Sequence, residues 1–164
     1  MRAFAVDSLR NIDLKLCNDA LMRLLITSPH ERVRERAASS LRFHKATPAM
    51  TDCLTSVLLN RSETPFVREM VAEVLTFHPE ERIVPTLEQV LDDPAPTVRY
   101  WAISALSYTK AEHLLPRLDH LARIDDAEAP EPDFNPPGYV APKVSEIAAE
   151  VAERIRCRIA DPDE

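Results

Sequence analysis

The chain has 164 residues, a formal net charge of −7 and 45% hydrophobic residues, enough apolar material for one folded domain. Its acidic balance disfavours nucleic-acid binding, because phosphate backbones and acidic surfaces repel each other. The sequence contains no apolar run of about 18 residues and no signal-peptide core at its start, so we expect no membrane association and a cytoplasmic protein.

Glycine and cysteine usage exclude several common sites. The single glycine, Gly138, stands against fourteen prolines, so nucleotide-binding loops that require several glycines are absent. The cysteines Cys17, Cys53 and Cys157 form no CxxC pair, which argues against a zinc site and favours reduced thiols in or near a helical core.

A nine-residue pattern occurs four times along the chain, with its first apolar residue at positions 1, 33, 67 and 98. Each copy has an apolar residue, Arg, two variable residues, two small or apolar residues, two variable residues and Leu. The apolar positions form one stripe on a helix, so the pattern predicts four amphipathic helices, named motif helices below. Spacings of 32, 34 and 31 residues indicate an internal repeat.

A further helix is predicted before each later motif helix. Asn18 is the expected N-cap of the earliest, and Thr47 with Pro48 opens the next. Pro85 and Pro116, which are 31 residues apart, lie at the start of the following two. The predicted fold is all-α, an α-solenoid of antiparallel helix pairs with about four units plus a C-terminal helix.

Residues 82–106 resemble a complete HEAT repeat of the phycobilisome-lyase-like subtype. They contain a Val-Pro-x-Leu helix at 84–87, an Asp-Pro turn at 93–94 and a Val-Arg-x-x-Ala helix at 98–102. The resemblance extends more loosely over residues 1–124. One departure is that an aromatic residue follows each of the last three motif helices where the family has Leu-Gly, and we expect packing there to stabilise the bend.

The domain organisation follows from where this pattern stops. We predict HEAT-like repeats over 1–124, an acidic Pro-rich insertion or loop over 125–142, a C-terminal capping helix over 143–160 and a tail over 161–164. Met1 occupies the first apolar position of the motif, so the first repeat lacks its first helix. The N-terminal face is then covered either by further repeats of a longer protein or by another chain.

An arginine follows the first apolar residue of every motif copy, at Arg2, Arg34, Arg68 and Arg99. Such a column could bind carboxylates or phosphates of a ligand. The resemblance instead implies a structural ladder, in which each arginine pairs with acidic or carbonyl groups between neighbouring repeats. We favour the ladder because the spacing of the arginines follows the repeat.

We predict no catalytic residue, no metal site and no cofactor. His44 and His78 are equivalent in the repeat, but two ligands make a weak metal site and no third is evident. The iron-binding His-Glu pairs of HEAT-repeat hydroxylases have one counterpart, His30-Glu31, and it lies in a predicted turn.

The third, fourth and seventh motif positions point away from the apolar stripe and predict a partner-binding face. The residues predicted to form it are Glu35, Arg36, Glu69, Met70, Glu73, Tyr100 and Trp101. Trp101 and Tyr100 together suit a partner anchor. The alternative is that Trp101 packs between repeats or lies under the 125–142 segment.

The function predicted from these observations is a non-enzymatic protein–protein interaction scaffold. Its concave face would bind a basic or amphipathic segment of another protein. The alternative is a subunit of a lyase-type or other enzyme accessory complex that acts on a protein client.

Overall fold

The computed structural model describes residues 15–78, 81–129 and 139–160, and regular structure there is helical apart from one isolated β-bridge. The first motif copy with Arg2, most of the Pro-rich segment and the tail lie outside these ranges. The chain divides into two compact units, Met1–His78 and Pro79–Glu164. Within the described part of the chain, the predicted all-α class of antiparallel helix pairs is confirmed.

The described part of unit 1, residues 15–78, contains two helix pairs, α1 (Lys15–Thr27) with α2 (Glu31–Leu41) and α3 (Pro48–Leu59) with α4 (Pro65–Thr76). The helices of each pair pack together, and α2 also packs on α4. The prediction for Asn18 is wrong, because α1 has already begun at Lys15 and Asn18 lies buried within it.

Two threonines fix where the later helices of unit 1 begin. The Thr47 hydroxyl accepts a hydrogen bond from the Met50 amide at 3.2 Å, and the Thr64 hydroxyl accepts one from the Val67 amide at 3.4 Å. A proline follows each threonine at the first helical position, where its missing N–H costs no helical hydrogen bond. Local sequence therefore determines both helix starts.

In unit 2 the ranges 81–129 and 139–160 also form two pairs, α5 (Val84–Val90) with α6 (Pro96–Leu106) and α7 (Leu115–Ile124) with α8 (Val144–Ala160). Short 3₁₀ turns lead into α5 and α7. Helix α8 packs on α7 and on α6, just as α4 packs on α3 and on α2. The C-terminal helix, predicted as a capping helix whose residues Glu146, Ile147 and Glu150 continue the predicted face, therefore occupies the position of a motif helix.

The segment between α7 and α8 is closed at its base by backbone hydrogen bonds. The Ala129 amide donates to the Pro142 carbonyl at 2.8 Å, and the Val144 amide donates to the Ala127 carbonyl at 3.0 Å. The Ser145 amide donates to the Asp125 carbonyl at 2.8 Å. These bonds bring the two ends of the segment together, so α8 can pack on α7 despite the length of the connection.

The apolar stripes of the motif helices form the core of each unit, as their spacing predicts. In α4 and α6 every stripe residue is fully buried: Val67, Val71, Ala72 and Leu75, and Val98, Ala102, Ile103 and Leu106. A fully buried Val, Leu or Ile contributes about 1.5–3 kcal/mol relative to an exposed one, so these stripes are the main source of stability. No helix in the described ranges has the length and hydrophobicity needed to cross a membrane.

Candidate functional site

The recurring arginine joins one helix pair to the next in unit 1. Arg34 Nε and Nη2 each donate to the Glu63 carboxylate at 2.8 Å, and Nη1 donates to the Ser28 carbonyl at 2.9 Å. Glu63 lies in the turn between α3 and α4, so the contact crosses from α2 to the following pair. The planar guanidinium suits this bidentate geometry.

Arg99 makes the corresponding set of contacts in unit 2. Its Nε and Nη2 donate to the Asp125 carboxylate at 2.7 and 2.8 Å, and Nη1 donates to the Asp93 carbonyl at 2.7 Å. In both units the carbonyl lies six residues before the arginine. Arg68 is buried, and its Nε donates to the Leu58 carbonyl at 2.9 Å. The contacts of these arginines lie within the fold.

Two residues predicted for the partner-binding face are buried, and their expected surface placement is wrong. Glu35 is 4% exposed and Glu69 is 7% exposed. Both occupy the third motif position, which lies only about 60° around the helix from the sixth, a stripe position. Because α2 and α4 each pack against two other helices, burial extends beyond the stripe to this position.

The other predicted face residues retain some exposure. Arg36 is exposed, whereas Met70 and Glu73 are partly buried. Tyr100 and Trp101 are also partly buried, and their rings meet edge to face with centroids 5.4 Å apart. The fourth and seventh motif positions thus remain available as a surface, whereas the third position is buried in α2 and α4 and only partly buried, as Tyr100, in α6.

Among the residues that the structure describes, the most exposed aromatic side chains lie just beyond the motif helices. Phe43, Phe77 and Tyr108 each lie ten residues after the first apolar residue of their motif, and they are 57%, 52% and 56% exposed. We name these three residues the corner aromatics. Contrary to the expectation that they pack against the bend, each is more than half exposed. The next residue in the chain is the buried one in each case: His44, His78 and Thr109.

Phe43 and Phe77 flank a charged group in unit 1. The Arg42 guanidinium carbon lies 5.0 Å from the centroid of the Phe43 ring and 4.9 Å from that of Phe77. Arg42 Nη1 also donates to a Glu73 carboxylate oxygen at 3.0 Å. Glu73 thereby links the predicted face to the corner aromatics.

Tyr108 borders a groove of about 570 Å³ in unit 2. The groove lies between the end of α6 and the side of α8, and its lining includes Ser107, Glu150, Glu153 and Arg154. Arg158 forms one wall and donates to the carbonyl oxygens of Thr109 at 2.8 Å and Ser107 at 2.6 Å. Since these are carbonyls at the C-terminal end of α6, the guanidinium fixes this wall of the groove.

The potential metal ligands and the cysteine thiols of the described residues do not form a second site. Among the described residues, no group of three or more His, Cys, Asp or Glu side chains is arranged to hold a metal ion. The thiols of Cys17, Cys53 and Cys157 are free. Burial raises the pKa of the Cys53 thiol to about 11, which keeps it protonated and poorly nucleophilic at neutral pH.

Sequence analysis missed the corner aromatics as functional candidates, although the evidence for them was present. An aromatic residue at the same motif position in three successive copies is itself a repeat feature. What the sequence could not show is that the aromatic side chain points outward while its neighbour points inward.

Comparison with known proteins supports the helix-pair repeat. Residues 51–129 match the family model of HEAT repeats, a span that covers α4 to α7 in full and most of α3. No curated protein matches the chain significantly.

Proposed function

We propose that this chain, whose residues 51–129 are HEAT repeats, is a non-enzymatic interaction module that binds a segment of another protein. The observation that carries the proposal is the exposure of Phe43, Phe77 and Tyr108 at one repeated position. Large aromatic side chains dominate the energetics of protein interfaces. HEAT repeats as a class commonly serve protein–protein interaction and offer extended surfaces for it.

In unit 1 the corner aromatics Phe43 and Phe77 extend the predicted face of the motif helices. Glu73 contacts Arg42, which lies between Phe43 and Phe77, so charged and aromatic groups alternate on one surface of unit 1. Such a surface favours a partner segment with both apolar and charged side chains, such as an amphipathic or basic helix. Arg36, Met70, Tyr100 and Trp101 would contribute further contacts on the same face of their helices.

An accessory subunit of a lyase-type complex is the alternative function. The phycobilisome-lyase-like subtype is part of this proposal, and its support is that residues 84–87 and 98–102 lie in paired helices joined by the Asp-Pro turn. A client-binding accessory subunit would use the same exposed aromatics, so a bound chromophore distinguishes the two functions. A cytoplasmic location is also proposed, since free thiols persist in a reducing compartment.

The test is an affinity purification from an extract of the source organism, with bound proteins and pigments identified by mass spectrometry. The bait is the intact chain beside Phe43→Ala/Phe77→Ala and Tyr108→Ala. The matched control is Ile26→Ala/Ile124→Ala, because these side chains are 59% and 60% exposed but lie away from the corner position.

A protein retained by the wild type and the control but lost from either aromatic variant is the expected result. Circular dichroism must show equal helicity in all four proteins, so that lost binding does not reflect unfolding. A partner set that is the same for every variant would contradict binding through the corner aromatics. A tightly bound pigment would instead favour the lyase-type alternative.

A further inference from the structure

Unit 1 contains an internal example of arginine recognition. Arg42 lies between the rings of Phe43 and Phe77 and donates to the Glu73 carboxylate at 3.0 Å. Aromatic faces attract a guanidinium through the ring quadrupole, and a carboxylate supplies the opposite charge. Aromatic rings and a glutamate thus form a binding environment for arginine on the surface of this repeat.

In unit 1 the arginine is surrounded by two aromatic rings and one glutamate. The same repeat positions in unit 2 retain one of the rings and the glutamate. Tyr108 corresponds to Phe43, and Glu150 corresponds to Glu73 when Val144 is aligned with the first apolar residue of the motif. The position of Arg42 is taken by Ser107, whose short side chain does not reach over the Tyr108 ring. The groove of about 570 Å³ lies at this place and is lined by Ser107, Tyr108 and Glu150.

We infer that this groove binds the guanidinium of an arginine in a partner protein segment, which takes the place that Arg42 fills in unit 1. The inference rests on the proposed function and names the chemistry of the partner. The Tyr108 ring, which is 56% exposed, offers its face to the guanidinium, and Glu150 offers a carboxylate for bidentate pairing. Glu153 adds a second carboxylate to the lining.

The groove also contains a cation that competes for the same carboxylate. Arg154 occupies the position that Phe77 has in unit 1, and its Nη2 donates to Glu150 at 2.5 Å. This is an exposed pair within one helix turn, with about half of each side chain accessible, and such pairs are weak. An incoming guanidinium contacts both the Tyr108 ring and Glu150, one contact more than Arg154 makes, and therefore displaces Arg154 from the carboxylate.

Arg158 has a different role from Arg154. Its Nη1 and Nη2 donate to the carbonyl oxygens of Thr109 and Ser107, and these two bonds anchor the guanidinium within the fold. The groove therefore has one fixed cation in its wall and one displaceable cation at its carboxylate. This difference predicts that removal of Arg154 strengthens binding of a guanidinium rather than weakening it.

The test uses the full chain labelled with ¹⁵N and titrated with N-acetyl-arginine N-methylamide, with amide shifts followed by NMR. The corresponding citrulline derivative, which has nearly the same shape without charge, is the control ligand. Shifts should concentrate at Ser107, Tyr108 and the α8 residues that line the groove, and citrulline should produce far smaller ones. Shifts spread over the protein, or equal shifts with citrulline, would overturn the inference.

Three variants make the test specific. Tyr108→Ala should weaken binding of the arginine derivative about threefold to fivefold, the range expected for an exposed cation–π contact. Arg154→Ala should strengthen it about twofold, as expected for loss of one exposed ion pair within a helix. Tyr108→Phe keeps the ring and should bind like the wild type. Weaker binding by Arg154→Ala would also overturn the inference.

The outcome separates this inference from the proposed function. If Phe43→Ala/Phe77→Ala loses the protein partner while the arginine derivative does not bind the groove, the interaction module stands and arginine recognition fails. If the derivative binds as expected but no aromatic variant loses a partner, the groove recognises arginine and the interaction module fails.

Discussion

His78 Nε2 lies 3.1 Å from the carbonyl oxygen of Leu41, and both groups are buried. Since a carbonyl oxygen only accepts hydrogen bonds, Nε2 carries the proton and donates. The contact ties the end of α4 to the end of α2, and in unit 2 Arg158 similarly reaches the carbonyls that end α6. The end of one motif helix is thus held by the next motif helix in each unit.

We predict that His78→Ala destabilises the protein by about 1–3 kcal/mol, because it removes a buried side chain and its hydrogen bond to the Leu41 carbonyl, which keeps the His44 amide as a donor. Phe77→Ala, one residue away, should cost less than about 1 kcal/mol, since its side chain is half exposed and its loss removes mainly the contact with Arg42. Urea unfolding followed by circular dichroism compares the two. An equal or larger loss for Phe77→Ala would contradict this prediction, because the aromatic residue would then stabilise the bend at least as much as the histidine.

The arginine contacts between helix pairs lead to a second prediction. Arg34→Ala should destabilise the protein by about 1–3 kcal/mol, because the partly buried Glu63 carboxylate loses two hydrogen bonds. Arg34→Lys keeps the charge but not the planar fork, so it should recover only part of that loss. Arg154→Ala, at an exposed pair, should change stability by less than about 0.5 kcal/mol. Full recovery with lysine would contradict the importance of bidentate geometry.

Acid sensitivity is the third prediction. Burial alone raises the pKa of the Glu63 carboxyl, but hydrogen bonds from Arg34 and Thr64 outweigh it, so this pKa lies below the ordinary value of 4.5. A carboxyl with a lowered pKa in the folded state stabilises the protein above the unfolded-state pKa, and this contribution is lost as pH falls through the folded-state pKa.

Glu63→Gln should therefore be less stable than the wild type at neutral pH and should lose less stability on acidification below about pH 4.5. Urea midpoints measured at a series of pH values test this difference. Parallel pH curves for the two proteins would show that Glu63 has no such linkage.

Thiol chemistry gives a fourth prediction. Cys157 is exposed beside the groove, whereas Cys53 is buried and burial raises its thiol pKa to about 11 from 9.0. A maleimide reagent at neutral pH should modify Cys157 much faster than Cys53, as shown by peptide mass mapping. Because the Cys53 pKa is raised in the folded state, its contribution to stability is present below about pH 9 and is lost as pH rises towards 11.

Cys53→Ala should accordingly show a weaker decline in stability than the wild type between those pH values. Cys53→Ala should also be less stable than the wild type at neutral pH, because the substitution removes buried packing. This difference does not affect the comparison of how steeply stability declines with pH. Rapid modification of Cys53 in the native protein would contradict its burial.

Much of the fold was predictable because local chemistry determines it. The period of the motif defines the buried stripe, and Thr-Pro pairs define two helix starts. The partners of Arg34 and Arg99 were not predictable, because Glu63 and Asp125 lie 29 and 26 residues away in turns of different sequence. Helix α8 was predicted as a capping helix and not as a further copy of the repeat, since the segment before it interrupts the repeat spacing.

The candidate site was less predictable than the fold. Burial of Glu35 and Glu69 arises because a motif helix packs against two neighbours, which a single helical stripe does not represent. The outward direction of Phe43, Phe77 and Tyr108 depends on how the chain turns after each motif helix. Residue type alone favoured the opposite assignment, with the aromatic inside and the histidine outside.

The central claim is that the corner aromatics bind a partner segment, and calorimetric titration with that segment tests it most directly. The segment is taken from the protein captured by the wild-type chain. Binding should weaken at least about tenfold for Phe43→Ala/Phe77→Ala, as expected when interface anchors are removed, while Ile26→Ala/Ile124→Ala binds like the wild type. Equal affinity for the wild type and the aromatic variant would contradict the account.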